Sequence, residues 1–163
     1  MPEFYPEPLI MEALDERLKT FAWTDPLTQE TVDASLSRNI QWPGVKFRPD
    51  PEVSYLRPTF HKPLTLTNFR GHPVLSSRKG RYEIQCRRPQ RFGDYAAVYL
   101  ASAVARHFFP GTGENLYLAT SGNEMIIQIE EDPDVGLNGS NPESNFVVAS
   151  CQVKYLAQVP RSS

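Results

Sequence analysis

The sequence predicts an α+β fold, a mainly antiparallel β-sheet with two α-helices packed on it in the order α-β-β-β-α-β-β-β. Three observations predict it. Two segments repeat apolar residues at helical spacing, Leu9–Phe21 and Tyr95–Phe109. The strand-like runs follow one another without repeated β-α-β units, which argues against a parallel sheet. The chain has 163 residues, 40% of them apolar, which is enough for one domain to bury a core of its own. The expected organisation is an arm at 1–8, a single domain at 9–157 and a tail at 158–163.

In the first helix Ile10, Leu14, Leu18 and Phe21 share a face, and Glu12, Asp15 and Glu16 precede Arg17 and Lys19, the order the helix dipole favours. Residues 22–39 are polar, lack clear periodicity and read as a loop. Strands are expected at Ile40–Phe47, interrupted by Pro43-Gly44, and at Val53–Phe60, where Pro58 marks an edge strand or a bulge. Residues 61–77 contain Pro63, Gly71 and Pro73. A stretch that long in a compact domain is usually functional or disordered, and Leu64-Thr65-Leu66 suggests an extended excursion or hairpin that docks on a neighbour.

Arg78–Arg88 alternates as a half-buried strand does, with Tyr82, Ile84 and Cys86 on one face and Arg81, Glu83, Gln85 and Arg87 on the other. Gly93-Asp94 offers an N-cap for the second helix. There Ala96, Leu100, Ala103, Val104, His107 and Phe108 form one stripe, and Pro110-Gly111 ends it. Strands are expected at 115–119 and 124–130 around a Thr120-Ser121-Gly122-Asn123 turn. An acidic loop at 131–144 then leads into the longest strand, Phe146–Leu156.

Several kinds of chemistry find no support. There is no G-x-S-x-G, and Cys86 and Cys151 fall on the apolar phase of their strands, so they read as buried thiols acting as small hydrophobes. His61 and His72 lie 11 residues apart with no carboxylate between them, and His107 lies on an apolar helical stripe. Gly111-Thr112-Gly113 follows a helix instead of opening one, so it reads as a turn. Glu130, Glu131, Asp132 and Asp134 offer the oxygens that hard cations take. Their spacing is not that of an EF-hand, and Pro133 and Gly136 suit a plain acidic loop equally well. No catalytic residue, cofactor or metal site is expected. No basic leader precedes an apolar stretch, and no apolar run approaches the roughly 20 residues that span a bilayer, so a soluble protein made in a cytoplasm is expected.

Charge is distributed unevenly along the chain. Residues 1–52 carry ten acids and five bases, residues 53–106 ten bases and two acids, and residues 107–163 seven acids and two bases. Two readings fit: two solvated faces of a monomer, or complementary surfaces that bind copies head to tail. A nucleic-acid-binding module is a rival, since Arg78-Lys79-Gly80-Arg81-Tyr82 and Arg87-Arg88 place basic and aromatic residues on one strand. Against it stand a pI near 5.9 and the inward phase of Tyr82.

The order of segments carries a resemblance. A first helix is followed by Trp42-Pro43-x-Val45-x-Phe47-x-Pro49 and Tyr55-Leu56-Arg57. Arg78-x-Gly80-x-Tyr82-x-Ile84-Gln85-Cys86 comes next, then Leu100-Ala101-x-Ala103-Val104-Ala105-x-x-Phe108, an acidic loop and Val153-Lys154-Tyr155. From about Ile10 to Ala157 this resembles the tail terminator family of long-tailed bacteriophages, which includes lambda's minor tail protein U and related tail-completion proteins. The 22–39 and 61–77 segments are longer than that family leads one to expect.

The resemblance implies a non-enzymatic structural virion protein at the head-proximal end of the tail. It would form a hexameric ring that caps the tail tube, ends tube polymerisation and offers the docking surface for the head and its connector. DNA would pass through without specific binding, so most arginines of 78–91 should face subunits and not the lumen. A head-completion or neck adaptor is the alternative within the same assembly. The expected subunit contact sets Arg78, Arg81, Arg87 or Arg88 of one copy against Glu130, Glu131, Asp132 or Asp134 of the next.

Overall fold

The computed structural model describes residues 6–67, 75–109, 116–119, 125–140 and 145–160. Helix α1 (Pro6–Lys19) begins three residues before the expected Leu9, because prolines 6 and 8 occupy the first turn, where no amide donor is needed. Ile10, Leu14 and Leu18 are fully buried, each such side chain stabilising by about 1.5–3 kcal/mol. Residues 22–39 do not form a plain loop. They hold the two-stranded hairpin β1 (Ala22–Thr24) and β2 (Thr31–Asp33) and the 3-10 turn Ser37–Asn39.

The expected strand at Ile40–Phe47 does not form. Only Ile40 bridges to Leu56, and the chain then turns through Gly44 at φ +75°, a conformation that favours glycine. Strands β3 (Tyr55–Phe60), β4 (Leu64–Thr67) and β5 (Leu75–Pro89) follow. The hairpin expected around Leu64-Thr65-Leu66 is present, as β4 pairs antiparallel with the first residues of β5. After a second 3-10 turn, Gln90–Phe92, helix α2 spans Ala96–His107. Its N-cap is Tyr95, in helical geometry and without a side-chain hydrogen bond, so Asp94 does not cap it. The remaining strands are β6 (Leu116–Ala119), β7 (Ile126–Ile129), β8 (Asp134–Ser140) and β9 (Phe146–Pro160).

Seven strands form the main sheet in the order β3-β5-β9-β7-β6, with β4 also on β5 and β8 also on β9. Every pairing between the described strands is antiparallel, and the isolated Ile40–Leu56 bridge is parallel. The α+β expectation therefore holds, with β3 at an edge, where Pro58 can lack an amide donor without breaking a ladder. β8 lies within the expected acidic loop. The 15-residue β9 meets β7 only near Ala157, which leaves its Val147–Gln152 edge for β8 to pair with.

Both helices cover one face of the sheet. Tyr82, Ile84 and Cys86 of β5 and Val147, Ala149, Cys151, Val153, Tyr155 and Ala157 of β9 point into that layer, against Leu100, Ala101, Val104 and Phe108 of α2. Gly80 sits at a close approach, since a Cβ there would lie 2.5 Å from the Tyr155 hydroxyl. Both cysteines are free and buried, as expected; burial pushes the Cys151 thiol up to about 12 and the Cys86 thiol well above its ordinary value. Among the described residues no helix is long and apolar enough to cross a membrane. The Pro110-Gly111 stop, the Gly111-Thr112-Gly113 turn, the Thr120-Ser121-Gly122-Asn123 turn and His72 lie outside the described residues. So do the first five residues of the arm and the last three of the tail.

Candidate assembly surface

The four arginines expected to form one basic face are divided by strand alternation. Arg78 and Arg88 share the inward phase of β5 with Tyr82, whereas Arg81 and Arg87 share the outward phase with Glu83 and Gln85. Arg88 is fully buried, so it cannot serve as the subunit contact expected of it. Its Nε donates to Ser54 Oγ at 3.1 Å. Its Nη1 donates to Asp25 Oδ2 at 2.7 Å and to the Ala96 carbonyl at 3.2 Å. Its Nη2 donates to Glu30 Oε1 at 3.1 Å and to Thr28 Oγ1 at 3.2 Å. These contacts engage all the N–H donors of a guanidinium. The ring of Phe92 lies 4.6 Å from the Arg88 guanidinium and that of Trp23 5.5 Å. Burial works to raise the Asp25 pKa, but the hydrogen bonds from Arg88, the Leu27 amide and Thr28 outweigh it and hold the carboxyl below its ordinary value.

Arg78 is mostly buried and donates from Nε to Glu7 at 3.0 Å. Arg87 is half-buried against the Tyr55 ring and donates to Gln85 at 3.1 Å. Arg81 is exposed and lies opposite Lys154 across the β5–β9 ladder. Glu130, Glu131, Asp132 and Asp134 are all exposed, as expected. They do not stand apart from positive charge, however. Lys154 lies 3.5 Å from Asp134 and 3.8 Å from Glu131, and Gln128 donates to Glu130. Arg91 pairs with Glu52 at 3.1 Å. Arg78, Arg88 and Arg91 of the basic middle block thus find their ion-pair partners Glu7, Asp25, Glu30 and Glu52 in the acidic first block. Part of the basic block is therefore neutralised within the subunit.

The apolar surface is more distinctive. A groove of about 620 Å³ runs between α2 and the β1–β2 turn, with Trp23, Pro26 and Leu27 on one wall and Tyr99, Ala103 and Arg106 on the other. Leu27 is 77% exposed and Tyr99 54%. The sequence reading passed over these residues, although one signal was present. Tyr95 and Tyr99 stand one helical turn apart on the side of α2 away from its apolar stripe, where solvated helices carry polar residues. At the far edge of the sheet, Val135 and Leu137 of β8 are also exposed. His107 is a packing residue, as expected: Nε2 lies 2.8 Å from the Arg17 carbonyl and from Thr20 Oγ1, and the ring meets Phe21 and Phe108 edge-on. His61 lies 3.6 Å from Glu83 on the outer face of the sheet. Among the described residues no three His, Cys, Asp or Glu side chains are grouped as metal ligands would be.

No family model matches the chain, and none of the curated proteins does. A solved protein structure is similar in fold, with a TM-score of 0.63 over 93% of this chain and 94% of that one at 17% identity.

Proposed function

We propose that this chain is a structural subunit of a phage tail, a terminator that closes into a hexameric ring on the tail tube, ends its polymerisation and presents a docking surface to the head connector. It works by assembly and without catalysis. The observation that carries this reading is where the family-like residues lie in the fold. Arg78-x-Gly80-x-Tyr82 and Val153-Lys154-Tyr155 are distant in sequence but form adjacent rungs of the β5–β9 ladder, with Gly80 directly opposite Tyr155. The alanine-rich segment packs on those two strands as α2. The segments that carry the resemblance therefore build one continuous unit. Exposed apolar side chains gathered in the helix layer add support, since such patches mark surfaces that meet partners.

A nucleic-acid reading draws on Lys79, Arg81 and Lys154, exposed together on the outer sheet face. It is weakened by the buried Tyr82 and by Glu131 and Asp134 beside Lys154. Native mass spectrometry across concentration at low salt tests the proposal, with a closed hexamer expected. A monomer that binds DNA with steep salt dependence would favour the rival instead.

A further inference from the structure

We infer that copies of this chain join head to tail through the helix layer, the groove beside α2 of one copy receiving the β8 edge of the next. This rests on the self-assembly in the proposed function and names its contact. The first argument is placement. The groove wall formed by the β1–β2 turn is tied to β5 through Arg88, which bonds Asp25, Thr28 and Glu30 of that turn, and to the start of β3 through Ser54. β8 lies beyond β9, toward the edge of the sheet opposite β3, and also packs on α2. The groove and β8 therefore flank α2 on opposite sides. Val135 and Leu137 lie opposite the inward-facing Cys151 and Ala149, so they point into the same layer as the groove. Two unlike patches on opposite flanks of one layer give a heterologous contact, the kind that propagates in one direction until a ring closes.

The second argument is chemical complementarity. The groove is mostly apolar, its polar lining being Asp25, which Arg88 neutralises, with Ser102, His107 and, at one end, Arg106. That side chain is exposed and has no ion-pair partner among the described residues. β8 offers two apolar side chains at i and i+2, preceded by exposed Glu131, Asp132 and Asp134. Val135 and Leu137 match the wall of Trp23, Leu27 and Tyr99, while Asp132, the exposed acid just before β8 that does not pair with Lys154, matches Arg106. The outer edge of β8 has no strand partner among the described residues. The wall is also rigid before binding, because Arg88 fixes the turn that carries Leu27. A preformed wall lowers the ordering cost of association.

Engineered thiols provide the test, since both native cysteines are fully buried. A Leu27→Cys, Leu137→Cys double variant should give a ladder of cross-linked copies on mild oxidation, while an equal mixture of the single variants should stop at dimers. In parallel, Leu27→Asp should weaken wild-type assembly at least tenfold by native mass spectrometry. Its circular dichroism should not change, because Leu27 is exposed. A wild-type ring with no ladder, and with Leu27→Asp copies still assembling, would overturn this contact and leave the ring reading standing. Monomers at every concentration together with no ladder would overturn both.

Discussion

Arg88 and Arg81 lie seven residues apart on the same strand, yet the fold uses them in opposite ways. Arg88 points into the helix layer, is fully buried and donates to five oxygens. Arg81 points outward, is exposed and faces another cation, Lys154, across the ladder. An odd separation along a strand changes the face, and the face decides whether a charge belongs to the core or to the solvent. Counting charges along the chain cannot make that distinction.

The largest effect expected from this contrast is the loss of Arg88. Arg88→Ala leaves Asp25 buried without its counter-charge and should cost about 3–5 kcal/mol in urea denaturation, as breaking a buried ion pair does. Arg88→Lys should restore little, because one ammonium cannot replace a planar fork of donors. The pH dependence should weaken as well. With its pKa held below the ordinary 3.8, Asp25 contributes stability that is present above that value and lost as pH falls through the folded-state value. Without Arg88, burial is opposed by the Leu27 and Thr28 hydrogen bonds alone, so the Asp25 pKa should rise and acidification through that range should cost the variant less at this site than the wild type. A loss below about 1 kcal/mol would show that the network is not the anchor described.

The inward phase of Arg88 was legible in the sequence, because it continues Tyr82, Ile84 and Cys86. Its partners were not. Asp25, Thr28 and Glu30 lie in a segment whose strands are only three residues long, too short for alternation to register. The same limit hid β8, where Gly136 and Asn138 disfavour a strand and pairing with β9 overrides that preference. By contrast, β5, β9 and both helices are long and strongly periodic, and they were readable to within a few residues. Of the candidate site, the exposure of the acids was legible. The groove was not, since it exists only where a hairpin distant in sequence meets α2.

Arg78 gives the contrast an intermediate point. It shares the inward phase with Arg88, but its side chain keeps 15% of its exposure and its partner Glu7 keeps 44%. Water therefore screens the pair, and Arg78→Ala should cost about 1 kcal/mol, between a surface pair and a buried one. Part of that cost is lost packing of the aliphatic stem. A loss equal to that of Arg88→Ala would show that phase alone, and not residual solvent, sets the effect.

The smallest effect is expected at Arg81. Arg81→Glu places a carboxylate opposite Lys154, converting a like-charge cross-strand pair into an attractive one. Stability should change by no more than about 0.5 kcal/mol, upward at low salt and back toward wild type in 1 M salt, where the Debye length is about 3 Å. Assembly supplies the sharper reading. If copies join through the groove and β8, Arg81→Glu should leave the oligomer distribution in native mass spectrometry unchanged. If it disperses the oligomers while the monomer stays folded, the outer sheet face is part of the contact. The pairing of Arg81 with a neighbour's acidic residues would then displace the groove as the seat of assembly.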